Sequence, residues 1–433
     1  MPYLISKLFG EHAMRRAVLV ICDGHRADFV RPDLTPNICA LAARGRRFAE
    51  HRGIFPSVTR TSSASIATGC HPGRHGLHGN TMALDEGDGL VTRDVGNPDF
   101  RARMRKATGA TLRVPTTAER VADLRGQIVF SNVSPGAAIF HDPDGYGHVY
   151  HRAISYGPGE NAVADPLTVS HDAAGDAAMT ERFCREILRE RHPTVSVLWL
   201  CEPDHTMHAS ELGSPDHLAA IRAADACVGR VVETVDALRA EGEDILLLVG
   251  SDHGQETVGE TIRLDALLVD AGLKESLTST DVAIAPQGFS GLVSLAAGLE
   301  ARAADIAKFL RGQDWIGDVF DAADLSKIGQ APTHGLALAF TLRGDGRTNG
   351  YGVPGYSPIV MASSDGRVKE GLGSHGGLGR WEQSPFLVAQ GGAVPATGAV
   401  VTAPTCIVDI APTILRHLGR DAAGMDGKAL DFA

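Results

Sequence analysis

The sequence predicts an α/β fold in which a mostly parallel central sheet is flanked by helices and carries an inserted cap. Short runs that are apolar at every position recur along the chain, and each stops at a turn rich in Asp or Gly. A strand buried on both faces loses polar alternation, which is the pattern of a parallel sheet. Helical stretches lie between these runs, so helices should cover both faces.

AVLVIC (17–22) is the first run and stops at Asp23-Gly24. Pro36 to Arg44 follows as a helix, with Thr35 as cap, Pro36 at the first position and Gly45 as stop. VSVLWLC (195–201) ends at Glu202-Pro203-Asp204, and DILLLV (244–249) ends at Gly250-Ser251-Asp252-His253-Gly254. Between these two, His217 to Arg239 is helical. PFLVAQ (385–390) is a further buried strand, and Asp409 to Leu418 forms a closing helix. The expected core is residues 14–260 and 371–433, with 81–170 as an irregular insertion rich in Gly, Pro and Arg. Residues 261–370 form the inserted cap subdomain.

Bulk properties narrow the function. The 433 residues suffice for one large α/β domain or two ordinary ones, and 43% hydrophobic content suits a soluble globular protein. A formal charge of −11 argues against nonspecific nucleic-acid binding. It is compatible with a small anionic substrate, because a metal site supplies positive charge locally. The seven cysteines are odd in number and have no C-x-x-C spacing, and Cys22 and Cys201 lie in apolar runs. Buried free thiols in a reducing cytoplasm are expected. MPYLISKLFGEHAMRR lacks an apolar leader core and a cleavage site, and no stretch nears the roughly 20 apolar residues of a membrane span. The expectation is a soluble cytoplasmic protein with no membrane partner. The oligomeric state is left open, a homo-oligomer included. The basic run Arg101, Arg103, Arg105 and Lys106 is either a solvated face or an anion-recognition patch.

Candidate ligands gather after the predicted strands. In open α/β sheets, ligands collect beyond the carboxyl ends of the strands. Asp204 and His208 share one face if their segment is helical and can meet one metal in a tight turn too; the competing reading is ordinary polar surface. His205 lies between them as a decoy. Asp252 and His253 can meet one ion where the chain bends, a bend that Gly254 would permit. His375, flanked by glycines, has little packing to do, and Asp23 is either a ligand or a helix cap. Three carboxylates and three imidazoles are the inventory for two zinc-like ions. Thr59 stands at the start of a helix from about 60 to 68 that ends at Gly69, where free N–H groups favour an anion. It is either a metal-activated nucleophile or a plain helix cap.

The order of these motifs resembles the alkaline phosphatase superfamily, most closely its type I phosphodiesterase / nucleotide pyrophosphatase branch. The residues that carry the resemblance are V-I-C-Asp23-G-H-R-A-D, F-P-S-V-Thr59, A-T-G-C-H-P-G-R-H-G-L-H-G-Asn80, Glu202-Pro-Asp204-x-x-x-His208, Asp252-His253-Gly254 and His375-Gly. It implies an alkaline phosphatase-like sandwich for the core. It further implies that Asp204, His208 and His375 hold one divalent ion, zinc or manganese with zinc favoured by the histidines. Asp23, Asp252 and His253 would hold the other, with Thr59 as a further ligand. Asn80 matches an asparagine that binds a non-bridging phosphoryl oxygen, and otherwise is a turn residue after Gly79.

The implied reaction is hydrolysis of a small phosphodiester through a phospho-threonine on Thr59. Asn80 and backbone N–H groups near Thr59 and Arg60 would stabilise the oxygens. Arg60 stands where nucleotide pyrophosphatases usually carry an aromatic residue, and its guanidinium suits an anionic tail of the substrate. His-Thr-Met between Asp204 and His208, and the segment Arg380-Trp381-Glu382, also depart from the branch. The alternative is a C–P hydrolase resembling phosphonoacetate hydrolase, with Arg60 or a cation of 101–113 as carboxylate clamp. A metal-binding protein without catalysis is a minor alternative. A sulfatase would need cysteine, and a metal-dependent phosphoglycerate mutase serine, at position 59.

Overall fold

The computed structural model describes residues 15–366 and 369–433. Most of the N-terminal stretch read for a leader lies outside the described residues, as do Met14 of the expected core and 367–368 of the expected cap. Among the described residues ten strands form the main sheet. Its centre is five parallel strands in the order Asp244–Gly250, Arg15–Cys22, Val195–Leu200, Gln127–Ser131 and His148–His151. Leu387–Gln390 runs antiparallel on one side, beside Arg46–Phe48 and Ala399–Val401.

Arg15–Cys22 shows why the apolar runs carry no alternation. Val18, Val20 and Cys22 pack into the core on one face of the sheet, against Ile221's helix neighbours Ala224, Val228 and Val231. Ala17, Leu19 and Ile21 pack into the core on the other, with Ile66, Ile410 and Ile414. Both faces are dry, so every position is apolar. Register places Ile21 opposite both Trp199 and Gly250. The next residues of three strands therefore emerge together at one edge.

The expected helices form, with one change in capping. Pro36–Ala43 starts after Thr35, whose side chain makes no cap bond. The Asp225 carboxylate on the long helix Pro215–Ala240 caps it instead, accepting from Asn37 N (3.1 Å) and Ile38 N (2.9 Å). Two orphan helix-end donors are thus satisfied by a residue distant in sequence.

The expected boundaries shift in two places. Residues 81–170 are not wholly an insertion, because Gln127–Ser131, His148–His151, Ser155–Gly157 and Asn161–Ala162 complete one end of the main sheet. Short length hid them, although Gln127–Ser131 is as fully buried as the other central strands. The earlier part holds the hairpin Thr81–Asp85 / Leu90–Asp94 and the helix Phe100–Thr108. Met82, Leu84, Phe100 and Met104 pack there with Ala64 of the helix Thr59–Thr68. The expected cap boundary at 260/261 cuts through the strand Glu256–Ile262.

That strand belongs to a four-stranded sheet with Asp345–Thr348, Pro354–Val360 and Gly373–Ser374, which spans the expected boundaries at 260/261 and 370/371. Within residues 261–370 an antiparallel sheet runs Val282–Pro286, Ser290–Leu295, Leu336–Leu342, Ile316–Asp321. Leu264, Leu268, Ile306 and Leu310, from two helices, fill its core.

The basic run is an ion-paired face. Arg101 pairs with Glu160, Arg103 with Glu86 and Asp99, and Arg105 with Asp144 and Glu160. All seven cysteines are unpaired, five of them buried. Among the described residues no helix is long and apolar enough to cross a membrane.

Candidate active site

The edge formed by the central strands carries the predicted ligands. Asp23 follows Arg15–Cys22, and its backbone ties the neighbouring loops: Asp204 N donates to Asp23 O at 3.1 Å. Gly24 N donates to Asp252 Oδ1 at 3.2 Å, and His25 N to Ser251 Oγ at 2.8 Å. Asp204–Met207 is a single helical turn, so Asp204 and His208 do share a face, with Oδ2 and Nε2 3.4 Å apart. His205 points away, its ring 4.1 Å from that of His171. Gly254 is needed for space rather than for a left-handed bend, since a Cβ there would lie 2.2 Å from Trp381 O.

His375 arrives by another route. It follows the two-residue strand Gly373–Ser374, which pairs antiparallel with Glu256–Ile262. Far from being unpacked, it is buried, with its ring stacked 3.8 Å from that of His253.

The donor atoms form two groups that share His253: Asp23, Asp252 and His253, and Asp204, His253 and His375, each within 4.8 Å of one another. His208 stands beside the second group, 5.2 Å from His375 between ring centres. Thr59 Oγ1 lies 3.2 Å from His253 Nε2.

The tautomers decide what these groups can hold. His253 Nδ1 is 3.0 Å from Gly254 O, and His375 Nδ1 is 2.7 Å from Ser57 O. A carbonyl only accepts, so each Nδ1 carries the proton and each Nε2 presents a lone pair. His253 Nε2 then faces Asp23 Oδ1 at 3.4 Å and Asp252 Oδ2 at 3.2 Å. Both carboxylate oxygens are buried without a hydrogen-bond partner. His375 Nε2 faces Asp204 Oδ1 at 3.5 Å. Lone pairs converging in a dry site call for a cation between them, and histidine ligands to metals show this same backbone-anchored arrangement.

The charges agree. Burial raises Asp23 well above its ordinary range, with Asp252 and Asp204 adding to the shift. Burial likewise raises Asp252 and pushes His375 well below the usual imidazole value, helped by His253. Burial opposes ionisation of Asp204, yet His208, His375 and His253 hold it well below the carboxylate range. The donor set, carboxylates with neutral imidazoles, suits divalent ions.

Thr59 is the first residue of Thr59–Thr68, and Val58 occupies the cap position, so Thr59 is not the cap. Asn80 is brought beside it. Its Oδ1 accepts from Arg60 N at 3.0 Å, which removes the Arg60 N–H from the donors expected to meet a phosphoryl oxygen. Arg60 itself does not reach into the site. Its guanidinium pairs with Asp94 and donates to Asn80 O (2.9 Å) and Ser134 Oγ (3.1 Å).

A cleft of ≈ 510 Å³ opens over Asn80, His208 and His375, walled by Gln287, Ile359 to Met361, Asp365 and Lys369. A groove of ≈ 800 Å³ shares Pro286 and Asp365 with it and follows the hairpin and the strand Val282–Pro286.

Some supporting residues had no sequence signal. Gln255 Nε2 donates to Asp204 Oδ1. Gln287 Oε1 accepts from Asn80 N at 2.7 Å. Glu382 accepts from Gly377 N (2.7 Å), Gly379 N (2.8 Å) and Ser57 Oγ (2.9 Å), behind His375. Glu382 lies in a segment that departs from the family pattern, which was the only pointer to it.

Sheet and site together define a member of the alkaline phosphatase superfamily. The sequence model of the type I phosphodiesterase / nucleotide pyrophosphatase family matches residues 17–309. The chain belongs to that family, one of metal-dependent phosphodiester hydrolases. An uncharacterized pyrophosphatase/phosphodiesterase of Schizosaccharomyces pombe is 36% identical over 74 residues, which span 17% of this chain and 15% of that protein. Murine ectonucleotide pyrophosphatase / phosphodiesterase 5, as an inactive threonine-to-alanine variant in complex with AMP, shares the fold at TM-score 0.68 and 16% identity, covering 96% of this chain and 97% of that one. A second structure of the same murine protein matches at TM-score 0.67 and 16% identity, covering 95% and 97%.

Proposed function

We propose that the chain hydrolyses small phosphodiesters at a site for two divalent ions, with Thr59 as nucleophile and a phospho-threonine intermediate. The convergence of the His253 and His375 Nε2 lone pairs on buried carboxylate oxygens carries this reading. Asp23, Asp252 and His253 would hold one ion, and Asp204, His208 and His375 the other. Three imidazoles favour zinc over manganese. When bound, such ions supply the positive charge that makes a threonine hydroxyl a nucleophile and screens the phosphoryl oxygens.

The chain's own residues do the rest. Thr59 Oγ1 attacks phosphorus and the alcohol departs toward the cleft. The Thr59 N–H, unpartnered within its helix, and Asn80 Nδ2 donate to the non-bridging oxygens. Water then attacks the phospho-threonine and Thr59 leaves. The AMP complex of the murine relative supports a substrate carrying a phosphoryl group, but the position after the nucleophile, usually aromatic in that branch, is Arg60 here. The phosphonoacetate alternative is weakened, because among its candidate clamps Arg60 is engaged with Asp94, and Arg101, Arg103 and Arg105 with other carboxylates. Unpaired cysteines support a reducing compartment.

The test compares kcat/KM of zinc-loaded protein and its Thr59→Ala variant on an aryl phosphodiester, an aryl phosphate monoester and phosphonoacetate. Preference for the diester and a loss of at least about 10³-fold in the variant are expected. Undiminished turnover by Thr59→Ala refutes the nucleophile, and preference for phosphonoacetate moves the reaction to C–P cleavage.

A further inference from the structure

Arg60 is a large cation in a socket made for it. Its side chain is 17% exposed, against 50% for its partner Asp94. Two glycines make the room. A Cβ on Gly96 would lie 2.5 Å from Arg60 Nη2, and one on Gly136 would lie 3.1 Å from Arg60 Cδ and 2.5 Å from Val95 O. Arg60 Nε donates to Ser134 Oγ, and Ser134 also caps the helix Pro135–His141. Asp94 Oδ1 in turn accepts from Gly96 N at 2.7 Å.

The contacts of Arg60 converge on Asn80. Asn80 N donates to Gln287 Oε1, and Asn80 O accepts from Arg60 Nη1 (2.9 Å) and Val95 N (3.0 Å). Asn80 Oδ1 accepts from Arg60 N, and because a backbone N–H only donates, the amide cannot be flipped. Among the described residues, Nδ2 is the one polar group of Asn80 without a protein partner, and Asn80 lines the cleft beside His375.

We propose that Arg60 is a positioning residue for phosphoryl transfer: its backbone and guanidinium fix Asn80 from both ends, so that Nδ2 meets a non-bridging phosphoryl oxygen. It does not bind an anionic tail of the substrate. This rests on the proposed role of Asn80. Asp94 adds to the argument, since it lines the neighbouring groove and an anionic tail there would meet a carboxylate.

The test is a double-mutant cycle on the zinc-loaded full chain with Arg60→Ala, Asn80→Ala and both together. The substrates are an aryl phosphodiester and the same diester bearing a carboxylate. Arg60→Ala is expected to lower kcat about 10- to 100-fold, equally for both substrates, as misplacing a catalytic donor by an ångström does. The double variant should be no slower than Asn80→Ala, because the two residues act as one unit. Arg60→Lys, which keeps the charge but loses the fork, should recover part of the loss. Inorganic phosphate, titrated calorimetrically, should bind more weakly to Arg60→Ala and Asn80→Ala by the same factor. If Arg60→Ala does not fold, Asp94→Asn takes its place in the cycle with a smaller loss and the same non-additivity. Additive losses, or a KM rise confined to the carboxylated diester, overturn the proposal while leaving Asn80 in place. An Asn80→Ala variant with unchanged kcat removes the proposed role of Asn80, and this inference with it.

Discussion

Glu256 and Glu382 form a buried acidic pair behind the site, and replacing Glu256 by Gln should change how stability depends on pH. Glu256 is 1% exposed, accepts a hydrogen bond from Trp381 N at 3.1 Å, and leaves its other oxygen, Oε2, without a partner. Burial, and then the Glu382 carboxylate, push it up to about 8. An unfolded Glu titrates near ~4.3. The folded value is raised, so the stability this carboxyl contributes is complete below the unfolded value and is lost as pH rises towards 8. The slope is ~1.4 kcal/mol per pH unit for one fully coupled group. Between pH 6 and pH 8 the wild type should therefore lose about 1–3 kcal/mol that Glu256→Gln, which cannot ionise, keeps. The assay is urea unfolding of both proteins at half-unit steps from pH 5.5 to 8.5. Metal-linked pH effects are common to both and cancel in the difference. Parallel stability curves would refute the reasoning, because they would mean that Glu256 is ionised across the whole range or compensated by a group not facing it.

Two other perturbations follow from the same geometry. Glu382→Ala strips the acceptor from Gly377 N, Gly379 N and Ser57 Oγ. It should cost about 3–5 kcal/mol in urea unfolding and lower metal content by releasing the loop that seats His375. A cost below about 1 kcal/mol with full metal content would show that the loop holds itself. Chelation should lower the unfolding midpoint, and re-added zinc should restore it, by up to about 4 kcal/mol at a thousandfold excess over Kd. The same response is expected of His205→Ala, whose ring faces His171 rather than the ligands, and no response in the wild type would remove the metal site.

What was legible in the sequence follows from how local the cause is. Asp23, Asp204 and Asp252 could be read because each closes an apolar run, and parallel register then carries their strands to one edge. Thr59 could be read from its helix and the Gly69 stop, since both are local backbone matters. His375 could not be derived in this way. It follows a two-residue strand of a second sheet, and beyond its flanking glycines only the order of family motifs pointed to it. The strands between 127 and 162 were obscured because three of them have four residues or fewer, too short for periodicity to show.

Arg60 marks the limit most clearly. Its chemistry was read as that of a guanidinium seeking an anion, and two kinds of anion could answer: a substrate tail, or a carboxylate of the chain. The choice depended on Asp94, and on Gly96 and Gly136 lacking the Cβ atoms that would have filled the socket. None of these is near Arg60 in sequence, and none is distinctive by itself. A charge that departs from a family pattern at a reactive site is therefore weak support for a new substrate until its own ion pairs are known. In this chain those pairs tie Arg60 to Asp94 and Asn80, which is why the departure supports the proposed positioning role rather than a contact with substrate.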